Sequence, residues 1–212
     1  MYRHVPNFIT VGRLVLTAAF FVALNRSPAR GEFGPWMWGC FSIFVVAGLT
    51  DVLDGYLARS WKVESAFGRV VDPFVDKILI CGAFVFLASP DFLGPRAAIL
   101  GTASSVAAIT GIAPWMAVVL IAREFLVTGI RGLAESQGID FRAQWTGKVK
   151  MFAQSLAVGT ALGNLATAVH GGQYQPIPWI LWSRDVAIWV TLAATVLSAV
   201  DYMVRARKIL TE

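Results

Sequence analysis

Residues 51 to 76 read D-V-L-D-G-Y-L-A-R-S-W-K-V-E-S-A-F-G-R-V-V-D-P-F-V-D. Asp51, Asp54, Asp72 and Asp76 stand in this stretch, between two apolar runs. A carboxylate at membrane depth costs a few kcal/mol, so it needs a partner or a task. Asp51 and Asp54 are spaced i, i+3 at the end of one run and so share a helix face. Asp72 and Asp76 are spaced i, i+4 at the start of the next and share a face there. Residues 59–69 read as a short turn, which makes the two helices antiparallel neighbours and brings the four acids to one depth. Pro73 suits this arrangement if the third helix begins close to it, because proline is accepted in a first turn.

The rest of the chain sets the medium. It has 212 residues, enough for one domain spanning 1–212. It is 57% hydrophobic, with a mean hydropathy of +0.64. The apolar residues fall in long runs, and about 20 such residues make a bilayer-spanning helix. Six spans are predicted: Phe8–Leu24, Trp36–Leu57, Val70–Ala88, Pro114–Ile130, Phe152–Val169 and Ile177–Val204. The Pro/Gly-rich stretches 25–35 and 171–178 read as connections. Residues 97–110 are short for a span, and a surface helix, a re-entrant segment and a loop all fit them. Gly12 and Arg13 interrupt the first run and no small-residue cleavage site closes it, so it reads as a retained span. Cys40 and Cys81 lie in apolar runs without metal-ligand spacing and read as buried thiols.

The net charge of +5 belongs to membrane topology, not nucleic acid. With six spans and both ends cytoplasmic, one side carries Arg3, Arg59, Lys62, Arg69, Arg131, Arg142, Lys148, Lys150, Arg205, Arg207 and Lys208. The other side carries Arg26, Arg30, Arg96 and Arg184. A seventh span at 97–110 would reverse the side of Arg131–Lys150 and destroy this asymmetry.

Four converging carboxylates stay ionised only if something neutralises them. Salt bridges to Arg59, Lys62, Arg69 and Lys77 are the bland account, and four acids on two adjacent helices speak against it. Oxygen-only donors suit hard ions such as Mg²⁺, Mn²⁺ or Ca²⁺, and carboxylate-bridged metal pairs hold phosphates. Gly55, Ala58 and Gly68 leave room beside the acids, and Arg59 offers a fork for phosphate oxygens. An ion path through the membrane would distribute acids through its thickness, whereas these crowd one end.

The stretch has the form D-x2-D-G-x2-A-R-x8-G-x3-D-x3-D, with eight fixed residues. It resembles the signature of the CDP-alcohol phosphatidyltransferases, a very specific pattern. The resemblance implies an all-α integral membrane fold of six transmembrane helices, with the active site at the cytoplasmic end of the bundle. It implies one or two divalent ions, Mg²⁺ or Mn²⁺, held by Asp51, Asp54, Asp72 and Asp76, with Asp76 as general base. It places Gly55, Ala58, Arg59 and Gly68 at the CDP-lipid.

Further stretches are similar to the phosphatidylglycerophosphate synthase branch. They are N-F-I-T-V-G-R at 7–13, A-R-E at 122–124, G-I-R at 129–131 and T-G-K-V-K at 146–150 with Gln154. Asn7 and Thr10 then join the CDP-lipid site. An anionic acceptor needs its own cations, and Arg13, Arg123, Arg131, Lys148 and Lys150 are the candidates. The expected substrates are CDP-diacylglycerol and glycerol 3-phosphate, in a homodimer of the bacterial plasma membrane.

Overall fold

The computed structural model describes residues 5–26, 32–61, 66–89, 106–136, 145–170 and 173–210. Helix α1 is Val5–Asn25, α2 Phe33–Trp61, α3 Ala66–Ala88, α4 Val106–Thr110, α5 Pro114–Ser136, α6 Trp145–Thr167 and α7 Pro178–Leu210. Strands β1, Val169–His170, and β2, Gln173–Tyr174, form a small antiparallel pair between α6 and α7. The six long helices coincide with the six predicted apolar runs. The described part of the chain is otherwise helical, and the tiny hairpin was not anticipated. Of residues 97–110, the described part is the five-residue α4, and the rest of that stretch lies outside the described residues.

Several helix ends differ from expectation, two of them at the acidic motif. Helix α2 continues to Trp61 and α3 begins at Ala66, so most of the expected 59–69 turn is helix. No proline interrupts 55–61, and nothing forces α2 to stop where its apolar run stops. Pro73 is consequently the eighth residue of α3, not part of its first turn. A helix-interior proline leaves the carbonyl four residues earlier without its amide donor. The face-sharing argument for Asp72 loses the support it drew from a late helix start.

The long helices form a closed ring. Helix α1 packs on α2 and α3, α2 on α6, α6 on α7, α7 on α5, and α5 on α3. Ala157 and Ala161 on α6 are fully buried, and such small side chains let helix backbones approach. Phe20, Phe44, Phe84 and Leu120 fill the space between the helices. At one end Gly111 takes φ +78°, a conformation glycine adopts without a Cβ penalty, and this closes α4. Arg184 of α7 donates to the carbonyls of Ala108 and Ile109, at 3.3 and 2.7 Å, and holds that end of α4.

The outer faces are apolar as well. Phe125 is 75% exposed and Phe152 73%. Trp179, Trp182 and Leu197 also face outward. Among the described residues, Phe33–Asp51 and Pro178–Arg207 are long and apolar enough to cross a membrane, and no more than 39% of either is buried within the chain. A helix that is apolar on both its inner and outer faces has no side suited to water.

Candidate active site

Two polar clusters lie at the end of the bundle opposite α4. The first joins α1, α2 and α3. Arg13, 1% exposed, stands between two carboxylates. Its Nη1 donates to Asp51 Oδ1, and to Asp76 Oδ1 at 3.0 Å. Asp51 and Asp76 come from different helices and turn one oxygen each toward the same nitrogen. That point is where a cation sits between them, and the donors are hard oxygens of the kind Mg²⁺ and Mn²⁺ prefer. Thr10, one turn before Arg13, is buried on the same inward side of α1. The side chains of Asp54, Asp72, Gly55, Ala58, Arg59, Gly68, Asn7 and Lys148 lie outside the described residues. Among those that are described, no three His, Cys, Asp or Glu gather.

From this cluster a cleft of about 760 Å³ runs along the bundle between α2 and α6. Asp51 and Asp76 line it at one end, Trp179 and Ser183 at the other. Its walls are mostly apolar, with Phe44, Leu79 and Leu156 among them. A methyl group added at Gly48 or Gly163, both in the wall, would meet nothing within 4 Å. The acids therefore head a long apolar groove.

The second cluster joins α5, α6 and α7. Glu124 Oε1 accepts from Lys150 Nζ, and from Arg123 Nη1 at 3.3 Å. Both cations are buried. Arg123 Nη2 also donates to the Ser198 hydroxyl. Arg131 Nη2 donates to the Tyr202 hydroxyl at 2.9 Å. The guanidinium carbons of Arg123 and Arg131 lie 5.6 and 5.5 Å from the Tyr202 ring centre. The two clusters are neighbours: Lys77, next to Asp76, donates to Thr128 Oγ1 at 2.6 Å, one turn from both Glu124 and Arg131.

A family model described as CDP-alcohol phosphatidyltransferase matches residues 3–200. The chain belongs to the CDP-alcohol phosphatidyltransferase family. Among similar curated proteins is the CDP-diacylglycerol–glycerol-3-phosphate 3-phosphatidyltransferase of Bacillus subtilis, 28% identical over 94% of this chain and 93% of that protein. A protein of the same name from Cereibacter sphaeroides is 28% identical over 95% of each. A probable phosphatidylglycerophosphate synthase of Mycobacterium tuberculosis is 32% identical over 96% of this chain and 81% of that protein.

As a CDP-alcohol phosphatidyltransferase, the chain brings Asp51 and Asp76 together as the motif suggested. It also gathers Arg123, Arg131 and Lys150. Arg13, grouped with those three from sequence, stands instead among the aspartates. Sequence reasoning missed Tyr202 altogether. The available signal was Ser198, a polar residue in the last apolar run, with Tyr202 at i+4 on the same face.

Proposed function

We propose that this enzyme transfers the phosphatidyl group of CDP-diacylglycerol to glycerol 3-phosphate, giving phosphatidylglycerol phosphate and CMP. The observation that carries the reading is the pair of adjacent clusters of opposite charge at the head of an apolar groove. The groove suits the acyl chains of a lipid, and its acidic head lies where the diphosphate of that lipid would sit. The cationic cluster beside it suits the phosphate of a water-borne acceptor. Similar proteins carrying that activity in their names cover nearly the whole chain.

Asp51, Asp54, Asp72 and Asp76 are the residues that would hold one or two divalent ions, Mg²⁺ or Mn²⁺. When bound, such ions neutralise the diphosphate and stabilise departing CMP. Asp76 accepts the proton of the acceptor hydroxyl as its oxygen attacks the lipid-side phosphorus. The bond from that phosphorus to the bridging oxygen breaks, and CMP leaves with that oxygen. Gly55, Ala58, Arg59, Gly68, Asn7 and Thr10 serve the CDP-lipid. Arg123, Arg131, Lys148 and Lys150 hold the acceptor phosphate.

In this reading six helices cross the bacterial plasma membrane, with both ends cytoplasmic. The outward apolar faces meet lipid, and Trp179 and Trp182 lie at headgroup depth on the far side. The clusters then open at the cytoplasmic surface, where a polar acceptor arrives while the lipid stays in the bilayer. The enzyme acts as a homodimer in this reading.

The test offers purified enzyme CDP-diacylglycerol with glycerol 3-phosphate, inositol phosphate or serine, and measures CMP release. Glycerol 3-phosphate is expected to give the fastest release. Release with inositol phosphate or serine, and none with glycerol 3-phosphate, would sink the acceptor assignment.

A further inference from the structure

Resting on the acceptor reading above, we propose that Tyr202 is a positioning residue for the acceptor phosphate: it orients Arg123 and Arg131 without neutralising them. Arg123 and Arg131 are two helical turns apart on α5. Each guanidinium nevertheless lies within 6 Å of the centre of the same ring. Tyr202 is 2% exposed, so its ring is fixed by packing. Its face attracts a cation and its hydroxyl accepts from Arg131. Neither interaction cancels a charge.

A carboxylate in the same place would also hold two arginines, but it would take up the charge that a ligand needs. Glu124 does this for Arg123 and Lys150. Counting Glu124 against Arg123, Arg131 and Lys150, the cluster holds three cations and one acid among the described residues. Arg123 is 7% exposed, yet its Nε has no hydrogen-bond partner. Arg131 Nε and, one turn along α6 from Lys150, Gln154 Nε2 are buried in the same condition. Unsatisfied buried donors are costly, and three of them in one cationic cluster point to an anion with several acceptor oxygens. A phosphate monoester has that chemistry.

The test is a steady-state comparison in detergent of wild type, Tyr202→Phe and Tyr202→Leu, varying each substrate separately. Tyr202→Phe keeps the ring and removes the acceptor for Arg131. It is expected to raise KM for glycerol 3-phosphate about three- to tenfold. Tyr202→Leu removes both interactions, and about thirtyfold is expected. In Tyr202→Phe, kcat and KM for CDP-diacylglycerol stay near wild type. An unchanged KM for glycerol 3-phosphate in Tyr202→Phe overturns the role of Tyr202 alone. So does an equal rise for both substrates together with a lower unfolding temperature, which marks a packing residue. If wild type takes only a neutral alcohol, the acceptor reading falls and takes this one with it. Should Tyr202→Leu fail to fold, Tyr202→Phe still decides.

Discussion

The two clusters at the head of the bundle are electrostatic opposites. On α1, α2 and α3, among the described residues, one arginine, Arg13, stands between two aspartates, Asp51 and Asp76. On α5, α6 and α7 a single glutamate, Glu124, stands among cations. Among the described residues each has one built-in counter-ion, and a buried charge needs at least that much. Each keeps an excess of its own sign, suited to a ligand of the opposite sign. The acidic side fits metal, and the basic side fits the anionic acceptor. The boundary is the α3–α5 contact at Lys77 and Thr128, so under the proposed function an acceptor hydroxyl held by the basic side would lie beside Asp76.

The contrast is broken most severely at Asp76. Asp76→Asn keeps the shape and removes the base, and kcat is expected to fall about a thousandfold. Circular dichroism should show unchanged helix content. Turnover within a few-fold of wild type would remove Asp76 from the chemistry and leave the acidic cluster a structural feature.

The clusters also differ in how legible they are in sequence. The acids of the first are local: they sit within 26 residues, across one short connection, at spacings that repeat a helical turn. Period and depth suffice to predict that Asp51 and Asp76 come together. The basic one joins residues 123–131, 150 and 198–202, and no local period links them. Arg123, Arg131 and Lys150 were legible as cations near span ends, and their meeting depends on α5 and α6 both packing against α7. Tyr202 was invisible because an aromatic residue in an apolar helix is ordinary; only the two guanidiniums near its ring make it otherwise. Arg13 shows the opposite case. Its charge grouped it with the other cations, whereas α1 packs on α2 and α3 and turns it toward Asp51 and Asp76. The six long helices were plain from length and apolarity, but the ends of α2 and α3 were not, because helices outlast the apolar stretch that announces them.

Glu124→Gln breaks the basic side. It leaves Arg123 and Lys150 buried without their shared acid. Losing one partner of a buried ion pair costs about 3 kcal/mol, and Glu124 is well enclosed at 12% exposed. A drop of several degrees in the thermal unfolding midpoint in detergent is expected. Addition of glycerol 3-phosphate should recover part of that drop, because an anion binding the freed cations stabilises the folded state. An unchanged midpoint would mean that water already satisfies these cations and that Glu124 is not their counter-ion.

The smallest effect is expected at Arg13, and it separates two accounts of that residue. If Arg13 held the acceptor phosphate, Arg13→Gln would raise KM for glycerol 3-phosphate as Arg123→Gln does. Its contacts predict otherwise. A positive charge beside two carboxylates proposed to hold metal would repel an incoming metal, by about 1 kcal/mol where the site is partly open to water. Removing it should lower the half-saturating Mg²⁺ concentration roughly fivefold. KM for glycerol 3-phosphate should move much less than in Arg123→Gln. A rise in that KM, with the Mg²⁺ dependence unchanged, would return Arg13 to the acceptor side and remove the sharp division between the two clusters. A lower Mg²⁺ requirement would make Arg13 the counterpart of Glu124, an internal ion of the wrong sign that each ligand must displace or share.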